Sequence, residues 1–287
     1  MKIGNYHIYT IDTGRFRLDG GAIFSIIPKS LWNKKINSDS FNRIELALRC
    51  LLLRDNNKNI LIDTGIGNKF KNKENNIFQI DHSTNSLDKS LNNLGLNKND
   101  ITHVILSHLH FDHAGGATEL DDRENLKPSF PNAVYYIQRK NLEWALNPSE
   151  KDKGSYLIEN IQPLIEQNKF KILSGSVDLF PNIKLMVVNG HTTAQQLVKI
   201  SDKNNTLIYC GDLIPTTAHI STNWLMAYDL YPLKSLEEKK NILQKASDKN
   251  WILFFDHDPK VEACTIQKNE KNFSINKIIT FPNNKTI

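Results

Sequence analysis

The stretch that decides the fold reads Val104-Ile105-Leu106-Ser107-His108-Leu109-His110-Phe111-Asp112-His113. An apolar run leads into three imidazoles and one carboxylate, and two glycines, Gly115 and Gly116, follow shortly after. Neutral imidazole and carboxylate are side chains that bind a divalent cation such as zinc. A chance cluster of polar loop residues is the alternative, but the strand before the cluster and the glycines after it fit a metal-binding loop. The segment therefore predicts a metal site at the end of a strand.

The composition limits the class of protein. The chain has 287 residues, of which 39% are hydrophobic and 23% charged, and its net charge of +5 comes from scattered lysines. Such a chain can bury a core, and it has no dense basic stripe of the kind that binds nucleic acid. Its three cysteines lack CxxC spacing, so neither a disulfide framework nor a cysteine-type zinc site is expected. With no apolar signal region and no run of membrane-span length, we expect a cytoplasmic protein that partners neither nucleic acid nor membrane.

The apolar pattern predicts strands alternating with helices. Strand-length apolar runs cover residues 3–11, 44–53, 59–63, 103–107, 133–137, 183–188, 196–200, 207–210 and 251–255. Helical periodicity covers residues 86–94, 139–146, 156–167 and 235–248, and a closing β-hairpin is predicted within 263–279. Hairpins mixed with crossover helices favour an α/β fold of two mixed β-sheets packed face to face with helices outside.

Later strand ends supply further candidate metal ligands. His191, Asp212 and His257 each follow an apolar run of strand length. Together with the loop they make a set of seven donors, which exceeds the ligand number of one tetrahedral ion, so two divalent ions sharing a carboxylate are expected. Zinc is the expected metal, and manganese, iron and cobalt also accept these ligands. We assign His108, His110 and His191 to the first metal, Asp112, His113 and His257 to the second, and Asp212 to the bridge between them.

The order of these residues resembles the metallo-beta-lactamase fold superfamily of binuclear hydrolases, over nearly the whole chain. In that superfamily an H-x-H-x-D-H loop, a lone later His, a bridging Asp and a last His lie at the edge of an αββα sandwich. The resemblance implies one domain over residues 1–287, with a C-terminal hairpin at 263–287. Leu61-Ile62-Asp63-Thr64-Gly65 also matches a family element, in which the Asp supports the metal loop from behind. An Asp63 that only caps a strand-end turn is the alternative.

Residues outside the ligand set narrow the resemblance. Five segments are similar to the branch of quorum-quenching lactonases and methyl-parathion-hydrolase relatives: Leu18–Phe24, Ile27–Trp32, Pro215–Ile220, Trp224–Asp229 and Phe255–Asp258. The resemblance implies that residues 1–40 form an N-terminal segment that contributes to a homodimer contact and to a wall of the substrate pocket. Plain core packing is equally consistent with the composition of that segment.

The expected chemistry follows from two cations that share a water. They lower the pKa of that water toward about 7, which provides a metal-bridging hydroxide at neutral pH. Asp212 would hold the bridge and orient the hydroxide for attack on a carbonyl carbon. The leaving alkoxide needs a proton or a metal. Asp112 could carry the proton after its coordination loosens. His219 could donate it instead, because related lactonases place a Tyr or His near this point of the pocket. A structural, hydrogen-bonded His219 is the alternative reading.

These features predict a metal-dependent hydrolase that opens lactones, first of all N-acyl homoserine lactones, so a small lactone or ester is the expected partner. An organophosphate or aryl-ester hydrolase is the close alternative, because the same hydroxide attacks phosphorus. A metal-binding member of the fold without turnover is a third possibility, and the complete ligand set argues against it. Four side chains could line an apolar cleft for an acyl chain, although such residues are often core: Phe24, Ile26, Trp224 and Tyr228.

Overall fold

Two seven-stranded sheets form the centre of the structure. The computed structural model describes residues 1–270 and 272–281. The first sheet contains, in hydrogen-bonded order, β1 (Lys2–Ile3), β2 (Tyr6–Asp19), β3 (Arg43–Arg54), β4 (Asn59–Ile62), β5 (His103–Ile105), β8 (Val134–Gln138) and β9 (Phe170–Leu173). A separate hairpin of β6 (Thr118–Leu120) and β7 (Leu126–Pro128) follows β5 in the chain. β4, β5, β8 and β9 are parallel neighbours, so their carboxyl ends share one edge.

The second sheet is antiparallel except for one parallel pair, β13 with β14. Its strands are, in order, β10 (Val177–Phe180), β11 (Ile183–Val188), β12 (Gln195–Ser201), β13 (Thr206–Tyr209), β14 (Ile252–Phe254), β15 (Ala263–Lys268) and β16 (Phe273–Ile279). The α-helices are α1 (Gly20–Phe24), α2 (Lys29–Trp32), α3 (Asn72–Phe78), α4 (Leu87–Asn92), α5 (Phe111–Ala114), α6 (Arg139–Leu146), α7 (Gln162–Glu166) and α8 (Pro232–Asp248).

The core has the layer order helix, sheet, sheet, helix. Successive residues of a strand point to opposite faces, so Val104 packs on the outer face of the first sheet and Ile105 between the sheets. The space between the sheets holds apolar side chains from both, such as Ile62 and Phe254. Burying a side chain of this size stabilises the fold by about 2 kcal/mol. The outer layers are α4, α6 and α7 on the first sheet and α8 on the second. The predicted αββα architecture is confirmed.

Several local predictions fail for identifiable reasons. The predicted helix over 156–167 is wrong: the segment contains a 3-10 turn at Ile158–Asn160 and then the short α7. Pro163 lies in the first turn of α7, and a proline is tolerated there but not in a helix interior. β9 and β10 were not predicted, because their residues are only half buried and lack a clear apolar alternation.

The C-terminal hairpin expected from the sequence is present over the residues that the structure describes. β15 and β16 pair antiparallel within 263–279. Residue 271, between β15 and β16 in the chain, and residues 282–287, at the end of the expected hairpin segment, lie outside the described residues. The assignment of residues 1–287 to one domain stays a prediction. In the described part of the chain, no helix is both long and apolar enough to cross a membrane.

Loops from both sheets meet at the edge where the parallel strands end. The Ser107 carbonyl, after β5, accepts a hydrogen bond from the Gln196 amide of the second sheet at 2.8 Å. In the other direction, the Ala47 amide of β3 donates to the carbonyl of His257, after β14, at 3.1 Å. These bonds fix the ends of the two sheets relative to each other, which positions the residues that follow the strands.

A buried lysine of α8 anchors the segment 216–231, which forms one side of this edge. Lys239 is fully buried, and its ammonium group donates to the backbone carbonyls of Ser221 and Trp224. Burial lowers the pKa of Lys239 from 10.5 to about 7, because the charged form loses its hydration.

This depressed pKa predicts a pH-dependent stability. Below about pH 7, Lys239 is charged in both the unfolded and the folded state. Folding then carries the full free-energy cost of burying the charge. It is relieved as the pH rises toward the unfolded value of about 10.4. We expect the free energy of unfolding of the wild type, relative to Lys239→Met, to rise by roughly 1 kcal/mol per pH unit between about pH 7 and 9. Urea denaturation of both proteins over that range measures it. Lys245→Met, at an exposed residue of the same helix, is the control, and its free energy of unfolding should change with pH as that of the wild type does. The same pH dependence in Lys239→Met and wild type would refute the cost of the buried charge.

Candidate metal centre

The loop that leads into α5 carries four of the predicted ligands. The carbonyl of His110 accepts the first helical hydrogen bonds, from the amides of His113 at 3.1 Å and Ala114 at 2.9 Å. Thr64, in the segment after β4, holds this turn, because its amide and its hydroxyl both donate to the His113 carbonyl at 2.8 Å. A single helical turn, held at both of these points, therefore fixes the backbone that carries Asp112 and His113.

Two glycines allow the loop to lie directly on the chain that follows β4. A Cβ atom at Gly115 would lie 2.1 Å from the Ile66 carbonyl oxygen, and one at Gly116 would lie 2.2 Å from the Thr64 carbonyl oxygen. Any larger residue would push the loop away from its support. Lys69 adds a further support by donating to the Gly115 carbonyl.

Asp63 lies behind the loop and does not face its open side. It has a left-handed backbone conformation, with φ of 57°, which an Asp tolerates better than most residues. Its carboxylate accepts hydrogen bonds from the Ser107 amide (2.6 Å) and hydroxyl (2.7 Å), from His113 Nδ1 (2.9 Å) and from the Tyr209 hydroxyl (2.9 Å). The Ser107 hydroxyl in turn accepts from His108 Nδ1 at 3.0 Å. This network fixes the ring orientations of His108 and His113.

Two other imidazoles are held in the same manner. His191 Nδ1 donates to Asp229 Oδ1 at 3.0 Å, and His257 Nδ1 donates to the Ala47 carbonyl at 2.9 Å. Since a carbonyl accepts but never donates, the hydrogen of His257 is fixed at Nδ1, and the carboxylate does the same for His191. Nε2 is therefore the ring atom available to a metal in each of the four: His108, His113, His191 and His257.

Asp212 lies between two groups of imidazoles. Its Oδ2 atom is 3.1 Å from His191 Nε2 and 4.0 Å from His108 Nε2. Its Oδ1 atom is 3.2 Å from His257 Nε2 and 3.3 Å from His113 Nε2. The two oxygens of one carboxylate thus face different clusters, which is the arrangement that a bridging ligand requires.

The first cluster consists of buried donors only. His110 Nδ1 lies 3.1 Å from His191 Nε2. His110 therefore faces the first cluster with Nδ1, whereas His108 and His191 face it with Nε2. The ligand atoms of the cluster lie within 4.8 Å of one another: His108, His110, His191 and Asp212.

The second cluster contains His113, His257 and Asp212, with two candidates for the remaining place. Asp112 Oδ2 lies 3.5 Å from His257 Nε2 and 3.9 Å from His113 Nε2, on the metal-facing side of both rings. Asp256 Oδ2 lies 3.8 Å from His113 Nδ1. That nitrogen is on the far side of the ring and already donates to Asp63, so Asp112 has the better position for a ligand. Asp256 lies behind the cluster.

Unsatisfied buried atoms show that this set fits a metal. Among the described residues, His108 Nε2 and Asp212 Oδ1 are buried and have no hydrogen-bond partner. Such atoms are rare in folded proteins, because each one costs free energy when it leaves water. Both point into the space between the ligands. A divalent cation in each cluster would give these atoms the partner that the protein does not supply.

The electrostatics of the clusters also suit a cation. Burial disfavours the charged form of Asp212, but the imidazole of His113 and its neighbours outweigh burial and hold the pKa of Asp212 well below its ordinary value. Burial, followed by repulsion from neighbouring imidazoles, lowers the pKa of His108 and His110, so both rings are neutral bases. Burial alone would lower the pKa of His191, but the Asp212 carboxylate outweighs it and raises this pKa to about 9. The ring is then protonated at neutral pH, so metal binding to it would release a proton.

The structure brings together all seven predicted ligands and adds residues that the sequence analysis did not propose. Asp229, which holds His191, follows the predicted pocket residue Tyr228 but ends no apolar strand, so no pattern identified it. Asp256 precedes His257 at the end of β14, and a buried acid in that position was the available signal. Tyr209 looked like a core residue because it lies within a strand.

A cavity of about 270 Å³ opens onto both clusters. Asp112, Asp212 and Tyr228 contribute polar groups to its wall. Burial, with Asp112 as the next cause, raises the pKa of Tyr228 to about 12, so its hydroxyl is neutral at physiological pH. Six apolar side chains also line the cavity, Leu18, Ile23, Leu46, Phe78, Phe111 and Met226, together with three histidines of the clusters and the turn at Lys151–Ser155. The cavity therefore combines a polar floor with apolar sides.

The predicted pocket residues divide between this cavity and other places. Tyr228 lines the cavity, whereas Phe24, Ile26 and Trp224 are not among the described residues that line it. Phe24 is fully buried, with its ring 5.4 Å from that of Trp32, and Trp224 packs edge-on against Phe24 at 5.6 Å. Ile26 is 89% exposed because the chain turns outward after α1.

Both ring nitrogens of His219 are hydrogen-bonded to other residues of the protein and not to the clusters. Its Nε2 donates to the Ile23 carbonyl at 3.0 Å, and its Nδ1 accepts from the Thr216 hydroxyl at 2.8 Å. Burial lowers the pKa of His219 to about 4, so the ring is neutral. Its face stacks on Phe24. This geometry supports the structural reading and gives no support to proton donation by His219.

Comparison with known proteins places this site in a family. The family model of the metallo-beta-lactamase superfamily matches residues 46–257. An N-acyl homoserine lactonase of Bacillus thuringiensis is 28% identical over 273 residues, which cover 90% of this chain and 96% of that protein. The crystal structure of a probable metal-dependent hydrolase from Staphylococcus aureus is 30% identical, has a TM-score of 0.89 and is covered over its full length, as is this chain. An N-acyl homoserine lactone hydrolase with N-hexanoyl-L-homoserine at its catalytic metal centre is 25% identical over 91% of this chain and 95% of its own, with a TM-score of 0.68.

The chain therefore belongs to the metallo-beta-lactamase superfamily. Within it, the protein is a metal-dependent hydrolase, with two His/Asp clusters that could hold a binuclear metal site.

The role of Asp229 can be tested through metal affinity. Asp229→Asn removes the negative charge that orients His191 while it keeps the shape of the side chain. We expect the affinity of the first cluster for zinc to fall about 10- to 100-fold, as is usual when the partner of a ligating histidine is lost. Competition with a chromogenic chelator measures this affinity. Asp178→Asn, at an exposed residue of β10, is the control, and equal affinities in the two variants would show that Asp229 does not position a ligand.

The fit of the clusters to a metal also predicts stabilisation by that metal. A cation that binds only the folded chain should raise the free energy of unfolding by about 2.7 kcal/mol at 100 times its dissociation constant. Thermal unfolding of chelator-treated protein, titrated with zinc, gives the measurement. In His108→Ala the rise should be much smaller, and an equal rise in that variant would place the bound zinc elsewhere.

Proposed function

We propose that the protein opens lactone rings, with N-acyl homoserine lactones as the leading substrate class. The observation that carries the proposal is the Asp212 carboxylate, whose two oxygens face separate clusters of imidazoles at the floor of a cavity with apolar sides. The residues around Asp212 could hold two metals, which would supply Lewis-acid chemistry suited to a carbonyl ester, and the apolar sides suit an acyl chain. Relatives described as N-acyl homoserine lactonases, aligned over 90% of this chain, support the same substrate class.

The residues of the first cluster, His108, His110 and His191, would hold one cation, and those of the second, Asp112, His113 and His257, the other. Asp212 would bind both. When bound, the two cations would lower the pKa of a water held between them and polarise the substrate carbonyl. Asp63 and Asp229 keep the imidazoles in the required tautomer and orientation through the hydrogen bonds at Nδ1.

Protons at the site are carried by the chain's own groups. Asp112 lines the cavity and lies at the second cluster, which places its carboxylate where a proton can pass from water to the leaving alkoxide. His219 has no nitrogen available for this step in the arrangement described above. We therefore assign the proton transfer to Asp112.

Zinc is the metal we propose, since imidazole and carboxylate ligands in small clusters suit it. We also propose a cytoplasmic homodimer. Exposed apolar side chains within the first 41 residues support a contact between copies of the chain there: Ile26, Leu31 and Phe41.

The first test is lactone turnover together with a metal count. Purified without chelator, the protein should bind about two zinc ions and open short- and long-chain N-acyl homoserine lactones. His110→Ala should lose metal from the first cluster and lower kcat/KM by at least about a thousandfold, because both the polarising cation and the bridge are disturbed. Two bound metals with phosphotriester or aryl-ester turnover instead of lactone turnover would replace the proposed substrate class, and an absence of metal would refute the mechanism.

The contribution of Tyr228 can be separated from that of the metals. Its hydroxyl lines the cavity and is neutral, so it can donate a hydrogen bond to substrate oxygen. Tyr228→Phe should lower kcat/KM for lactones about three- to tenfold, the value of one hydrogen bond, with metal content unchanged. Leu233→Ala, at an exposed residue of α8 that is not among the residues lining the cavity, should have no effect. Equal activities of Tyr228→Phe and wild type would exclude a contact of the hydroxyl with substrate.

A further inference from the structure

Lys151 lies at the wall of the cavity, on a turn between α6 and α7. The carboxylate of Asp152 fixes this turn, since its Oδ1 accepts from the Ser149 hydroxyl at 2.6 Å and its Oδ2 from the Trp144 ring nitrogen at 2.8 Å. The exposed lysine therefore projects from a turn that side-chain hydrogen bonds hold in place. It was not among the candidate site residues of the sequence analysis, because a lone lysine in a polar loop carries no pattern.

The ammonium group of Lys151 is held on the opposite side of the cavity mouth. It donates to the carbonyl of Ala227 at 2.9 Å and to that of Asp229 at 3.2 Å. These two bonds use two of its three N–H groups and fix the position of the charge beside Tyr228. Lys151 thus bridges the two segments that border the cavity.

The charge of Lys151 has no acidic partner among the residues that the structure describes. Within residues 1–270 and 272–281, no carboxylate forms an ion pair with it, although the neighbouring Lys153 pairs with Glu150 at 2.7 Å. The acid next to it, Asp152, is occupied by Ser149 and Trp144. Apart from histidines, Lys151 is the one basic side chain among the described residues that line this cavity.

Hydrolysis changes the charge inside the cavity. Water adds across the acyl C–O bond of a neutral lactone: its oxygen joins the acyl carbon, and one hydrogen joins the alkoxide oxygen that leaves. The resulting carboxylic acid loses its other proton to solvent at neutral pH. A neutral substrate therefore becomes an anionic hydroxy acid beside a fixed cation that has no carboxylate of its own.

We infer that Lys151 is a specificity-determining residue that attracts the carboxylate-bearing product, and so distinguishes the hydroxy acid from the neutral lactone. The inference rests on the proposed lactone hydrolysis. A fixed charge lowers the free energy of an anion in the cavity but has little effect on a neutral ligand of the same size. Lys151 therefore sets how strongly the product inhibits the enzyme.

Four variants separate the charge of Lys151 from its hydrogen bonds. Lys151→Met removes both, Lys151→Gln removes the charge and keeps an N–H donor, and Lys151→Arg keeps the charge. Lys153→Met is the matched control, since Lys153 is exposed, is paired with Glu150 and does not line the cavity. For each zinc-loaded protein we would measure metal content, KM for hexanoyl homoserine lactone and the inhibition constant of the hydroxy acid N-hexanoyl-homoserine.

The inhibition constant should rise about three- to fivefold in Lys151→Met and Lys151→Gln, as expected for one charge pair near solvent. It should change less than twofold in Lys151→Arg and Lys153→Met, and KM for the neutral lactone should change less than twofold in Lys151→Gln. High salt should remove the difference between wild type and Lys151→Gln, because it screens the attraction.

An unchanged inhibition constant in Lys151→Gln would overturn the inference, and so would an equal rise in KM, which would show that Lys151 only positions the loops. Calorimetric binding of the hydroxy acid to zinc-loaded protein gives a second readout that needs no turnover. If the wild type lacks lactone turnover, the proposed function fails, while the calorimetry still decides whether Lys151 attracts a carboxylate.

Discussion

The hydrogen bonds behind the imidazole rings are the constraint on which the rest of the structure depends. A histidine binds a cation through a nitrogen that points toward it, and in four rings of this site a partner at Nδ1 leaves Nε2 as the nitrogen that faces the clusters. These partners come from β3, from the loops after β4 and β5, and from the segment before α8. The packing of two sheets and several loops therefore serves to place acceptors behind a small group of rings. Asp63 contributes most, because its carboxylate joins Ser107, His113 and Tyr209.

The candidate ligand set, which stays a prediction, could be proposed from the sequence because its chemistry is local. Each ligand follows an apolar strand, and His108, His110 and His113 lie close together in one loop, so residue type and position suffice. The αββα architecture was predictable for the same reason, since strand and helix periods are visible along the chain. The residues that hold the ligands in place could not be predicted in this way, because they depend on contacts between distant parts of the chain. Asp229 bonds a histidine far away in sequence, and no pattern in one sequence shows which acid will meet which ring.

The pocket was the least predictable part, and the reason lies in packing. Phe24, Trp224 and Tyr228 are all aromatic and all belong to segments near the site, yet only Tyr228 lines the cavity. Which aromatic side chain faces solvent and which faces the core depends on the turn after α1 and on the anchoring of the segment 216–231. His219 illustrates the same point, because its residue type suggested chemistry while its two hydrogen bonds to the protein give it a structural position.

The origin of the ligands in both sheets has a consequence for the chain as a whole. His113 follows a strand of the first sheet, His257 follows a strand of the second, and their Nε2 atoms lie 3.2 Å apart. A cation bound by both would act as a cross-link between chain positions that are distant in sequence. Such a link removes loop-closure entropy from the unfolded ensemble, in the way that a disulfide does. In a protein whose cysteines are all free, the metal centre would then take the place of a covalent bond between the two halves of the sandwich.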